Sequence, residues 1–209
     1  MTSAVDTRRG YDVTHLTHVL RRGLLLGLFT SVIVVLLSFI TRFTAPPIET
    51  VLGALVLLVG LLGVTALPGV WTGARTIEGI AGAAGIGLLA TVVFMLVDVA
   101  LLQPLGMWTN RWREVGGGSN WWYHPVWWMA GTLLPWLGAL ILANRAAHGR
   151  SASVAGVMIP ALVAAAACAV VAVLVGFPGA DWNLSTFGIA FLPGLIIAAF
   201  FSAMGRVRP

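Results

Sequence analysis

The chain has 209 residues, of which 59% are apolar and only 9% charged, and its mean hydropathy is +0.96. Soluble domains carry about 25% charged residues, so these side chains cannot furnish a water-facing surface, and an integral membrane protein is expected. All twelve basic residues are arginine, which excludes chemistry that needs a lysine, such as a Schiff base, a Walker A loop or a lysine general base.

In chain order, residues 1–22 read as a cytoplasmic amphipathic lead-in. Val13, Leu16, Val19, Leu20 and Leu24 recur at helical spacing behind Asp12, a candidate N-cap. His15 and His18 share a face there, but two imidazoles without a third ligand make no metal site, and none is expected elsewhere. A helix needs about 20 apolar residues to cross the hydrocarbon core, and six stretches qualify: 23–41, 48–70, 80–102, 126–142, 154–175 and 184–204. Pro46 and Pro47 follow the only plausible signal cleavage site, so the first stretch is read as an uncleaved span. In the third, Gly79, Ala83 and Gly87 fall at four-residue spacing and predict a helix-packing face.

Asp98 is the one acid well inside a span. A carboxylate at membrane depth is costly and calls for a partner. After it, residues 103–125 form a long outer loop. This loop and the start of the fourth span hold six of the nine tryptophans: Trp108, Trp112, Trp121, Trp122, Trp127 and Trp128. Two readings compete. Tryptophan favours the headgroup layer, so the set can be an interfacial aromatic belt. It can equally be a docking surface for a partner protein, a lipid or a quinone. Asp98 and Gln103 with Arg113 and His124 would then make a polar pocket suited to a quinol headgroup or lipid phosphate. A structural tether between Asp98 and the loop is the competing reading. In the later spans, Pro135 and Pro193 predict kinks, and the alanine-rich fifth span is expected to be buried against its neighbours. The single cysteine, Cys168, excludes an internal disulfide and reads as a small buried hydrophobe.

Arginine placement gives the orientation. With the N-terminus inside, Arg8, Arg9, Arg21, Arg22, Arg75, Arg145, Arg150, Arg206 and Arg208 lie on the cytoplasmic side, and Arg42, Arg111 and Arg113 outside. That bias predicts both termini in the cytoplasm and a cytoplasmic (inner) membrane location. It also accounts for the +5 net charge without a nucleic-acid partner. One internal similarity bears on architecture. Leu67-Pro68-Gly69-Val70-Trp71 with Gly79-Ile80-Ala81 resembles Phe177-Pro178-Gly179-Ala180-Asp181-Trp182 with Gly188-Ile189-Ala190. This admits two inverted three-helix repeats, as in many transporters; chance matching of Gly/Ala-rich helices is the alternative.

The expectation is an all-α bundle of six transmembrane helices forming one unit over 1–209. No enzyme motif is recognisable, and no cofactor is identified beyond a bound lipid or quinone. The leading reading is a non-catalytic accessory or scaffold subunit that contacts the bilayer and other membrane subunits, or itself. The alternatives are a small-solute or ion transporter or channel, and a quinone- or lipid-handling membrane enzyme.

Overall fold

The computed structural model describes residues 16–107 and 123–204, and all regular structure among them is helical. The order is α1 Leu16–Phe43, α2 Ile48–Trp71, α3 Ile77–Val97, α4 Tyr123–Ala147, α5 Val154–Leu174 and α6 Leu184–Ala203, with a π-helical turn, Asp98–Leu102, prolonging α3. Three helices start at side-chain caps: Thr76, Ser153 and Asn183 accept from the backbone N–H of Gly79, Gly156 and Thr186. Three end on one device. Gly73, Gly149 and Gly176 take positive φ after α2, α4 and α5. The residue after each then donates back to Gly69, Arg145 and Ala172 respectively.

From Leu16 onward the lead-in runs directly into the first span as the opening of α1. Residues 1–15 lie outside the description. The fourth helix starts at Tyr123, inside the expected 103–125 loop, and runs on to Ala147.

Burial is inverted relative to a water-soluble protein. The inner face of α2 is Gly53, Gly60, Gly63, Thr65, Ala66 and Gly69, while Val51, Leu55, Leu58, Val59 and Leu62 are exposed. Small residues gain close helix contact and large apolar ones face outward, the arrangement a lipid solvent favours. Among the described residues five helices are long and apolar enough to cross a membrane, and the chain is a multi-pass helical membrane protein. The remaining expected span, 126–142, lies within α4, which packs on α2, α3, α5 and α6.

Glycine contacts fix the relative directions. Gly23 lies against Leu89 and Gly27 against Val93, so α1 and α3 run parallel. Gly60 meets Ile33 and Gly63 meets Phe29, so α2 is antiparallel to α1. Gly69 meets Leu142 while Gly138 meets Thr65, making α4 parallel to α2. Gly53 meets Leu184 and Gly188 meets Leu57, which aligns α6 with them. The bundle therefore alternates up and down. Leu16 and Ala203 lie at one end, called here the basal end; Asp98 lies at the other, the distal end.

The fifth helix corrects a further expectation. Ala161 and Ala165 are buried against α6, but Ala166 and Ala167 face outward with Ile159, Val163 and Val170. Alanine content does not bury a helix at the edge of a bundle. Cys168 is half-buried on the same helix.

Candidate functional site

Two features meet at the distal end: a joint closing α3 and an apolar cleft beneath it. Phe94, Asp98 and Leu102 are all buried on the bundle side of α3. The Gln103 N–H donates to the Asp98 carbonyl at 2.8 Å, a five-residue reach that widens the helix locally. The Gln103 side chain folds back as well, its Nε2 donating to Asp98 Oδ2 at 2.6 Å. Asp98 is 0% exposed, so an amide donor at its carboxylate offsets part of the desolvation cost. The chain then turns at Gly106, φ 64°. Two groups from α1 hold this turn: Ser38 Oγ donates to the Met107 carbonyl, and Arg42 Nη2 donates to the Gly106 carbonyl at 2.6 Å. The entry to the tryptophan-rich connection is thus tied to α1.

Of the four residues expected to share a polar pocket, the structure brings Asp98 and Gln103 together. The His124 backbone occupies the first turn of α4, its side chain lies outside the description, and so does Arg113. Among the tryptophans, Trp108, Trp112, Trp121 and Trp122 also lie outside the described residues. The adjacent pair Trp127 and Trp128 divides. Trp128 is 39% exposed, whereas Trp127 turns inward and packs on Phe94, with ring centroids 4.4 Å apart at 51°.

The Trp127–Phe94 pair forms part of a half-enclosed cleft of about 150 Å³ among α1, α2, α3 and α4. Its wall includes Phe29, Ile33, Leu61 and Ala130, and it extends distally to the half-buried Leu37 and Leu57. The hydroxyl side chains on it among the described residues are Thr30 and Thr91, and both donate within their own helices, to Leu26 O at 2.9 Å and Gly87 O at 3.0 Å. An apolar cavity of this size stays dry and accepts a small apolar guest. It offers no free donor to a dehydrated anion or sugar.

The residues expected to pack α3 do so against different neighbours. Gly87 sits on Pro135, with the Gly131 carbonyl 2.5 Å from where a Cβ would be. Pro135 cannot donate to that carbonyl, so the close approach of Gly87 places a Cα–H beside an acceptor the helix leaves open. Ala83 is fully buried in the core cluster that α3 shares with α4, α5 and α6. Gly79 instead packs on the α2–α3 turn, near Thr72 and Ala74. Sequence reasoning missed the cleft altogether. It also missed a polar link at the basal end, where Asn144 Nδ2 donates to Ser202 Oγ at 2.9 Å and joins α4 to α6. An amide and a hydroxyl near the ends of two spans were its only signal.

Fold and site together define a small multi-pass membrane protein with a tied distal joint above an apolar cleft. Comparison of the chain with protein-family models, curated proteins and solved structures finds no match.

Proposed function

We propose that the protein is a non-catalytic accessory or scaffold subunit that presents its distal end to another membrane protein. The joint carries this reading. Ser38, Arg42 and the Asp98–Gln103 pair hold the start of the tryptophan-rich connection against α1, and pre-ordering a binding segment lowers the entropic cost of association. Trp128 is exposed beside it, and tryptophan is enriched where interfaces carry their energy. Purification in mild detergent should recover a stoichiometric membrane partner, and Ser38→Ala combined with Gln103→Leu, which loosens the joint, should reduce that recovery. Recovery of the wild-type chain alone would sink the reading.

The orientation belongs to the same proposal. Arg21, Arg22, Arg75, Arg145 and Arg150 are at the basal end and Arg42 at the distal end, which supports a cytoplasmic basal end in an inner membrane with both termini inside. A C-terminal reporter that is active only in the cytoplasm should therefore be active.

The transporter reading gains less support. Pro68 lies inside α2 while Pro178 lies in the α5–α6 loop, so the two similar motifs occupy unlike settings. The halves also pack differently: α1 meets α3 most extensively in the first, α5 meets α6 in the second. A polar permeant would find no lining in the cleft.

A further inference from the structure

We infer that the cleft among α1–α4 binds one hydrocarbon chain of a phospholipid whose phosphate is held by Arg42 at the distal interface. This goes beyond the docking reading and does not depend on the tryptophan-rich connection. Four observations converge on this occupant.

Three of the four helices around the cleft, α1, α2 and α3, are long and apolar enough to cross a membrane, so acyl chains are the solvent around it. Its walls are apolar and both hydroxyls are satisfied internally, so a chain can enter without stranding a polar group. It runs from the level of Leu26 to that of Leu37 on α1, about 16 Å of helix at 1.5 Å per residue, which gives it the form of a slot along a chain. Finally, a cation lies distal to the cleft, where Arg42 follows Leu37 by five residues on α1; the neighbouring Thr41 and Thr44 hydroxyls donate to carbonyls of α1, Leu37 O and Ile40 O. Arg42 is exposed and donates one N–H to Gly106 O, and guanidinium carries five such donors. The remaining ones fit a phosphate. A neutral isoprenoid would satisfy the slot but bring no anion to the remaining Arg42 donors.

The test is native mass spectrometry of the full chain released from mild detergent, with chemical identification of what it carries. The wild type should retain phospholipid. Ala130→Phe, which fills the slot from α4, should lower retention about tenfold, the loss that a couple of buried methylenes represents. Arg42→Gln should lower it by a smaller factor with the slot intact, and Val163→Phe on the outward face of α5 should leave it unchanged. If Ala130→Phe fails to fold, Leu37→Trp closes the mouth from a half-exposed position and should give the same loss. Equal retention in the slot-filling variants overturns the inference, as does a wild type that carries no lipid or carries an isoprenoid instead. Partner recovery measured on the same preparations separates this result from the docking proposal, because loss of lipid with the partner retained touches the inference alone.

Discussion

The α5–α6 hairpin and the α1–α4 bundle are made of the same residue classes, yet one closes its interior and the other leaves space. At Gly194 the α6 backbone meets the backbone of Ala165 with no room for a methyl group. Among α1–α4 close approaches at Gly87 and Gly131 between α3 and α4, and at Gly23 and Gly27 between α1 and α3, draw three helices together. Phe29, Leu61 and Trp127 meanwhile stand around a volume that none of them fills. Glycine at a crossing eliminates space; bulky side chains between crossings enclose it. A membrane protein can therefore keep an interior slot without any polar residue to mark it.

This contrast can be broken experimentally, beginning where the effect should be largest. Gly194→Leu forces a side chain into the Ala165 backbone, which cannot yield cheaply, and should cost about 3 kcal/mol or prevent folding; thermal unfolding in detergent reads it. Gly131→Ala meets the Thr91 side chain at the α3–α4 crossing and should cost about 2 kcal/mol. Because Thr91 is the obstacle, adding Thr91→Ala should recover part of that loss, and a double-mutant cycle giving strict additivity would show the contact to be unimportant. At the joint, Asp98→Ala removes the carboxylate that the Gln103 amide donates to and should cost about 1–2 kcal/mol, whereas Asp98→Asn keeps a carbonyl acceptor and should cost less. Smallest of all, Ala130→Phe should change stability by within about 1 kcal/mol, since its ring enters existing space. An Ala130→Phe penalty as large as that of Gly194→Leu would erase the distinction between the two regions.

Much of the fold was legible because span length and apolar continuity are one-dimensional properties. The expected 48–70 and 154–175 stretches match α2 and α5 to within a residue. Asp98 was legible as a lone acid in an apolar run, and Gln103 as its neighbour. The π-helical turn that joins them was not, because one residue of extra reach leaves no mark on composition. Nor could adjacency say which of Trp127 and Trp128 would turn inward; Phe94, distant in sequence, decides it. The cleft was illegible for a related reason. It is bounded by four helices, and no single helix face records the space that others leave. Alanine richness misdirected the reading of α5, where a lateral position, with α6 as its main neighbour, determines burial.

The most direct measurement is fluorescence quenching by bromine-labelled acyl chains in a bilayer. Trp127 lines the cleft, while Trp128 and Trp136 are exposed on α4 and act as internal references. The difference between the wild type and Trp127→Phe isolates the Trp127 signal, and Ala130→Phe then tests the route. The account predicts that chains brominated along their length quench Trp127 strongly, and that Ala130→Phe removes this quenching while the exposed tryptophans stay quenched. A Trp127 signal untouched by the labelled chains, or quenched equally with the slot filled, would contradict it.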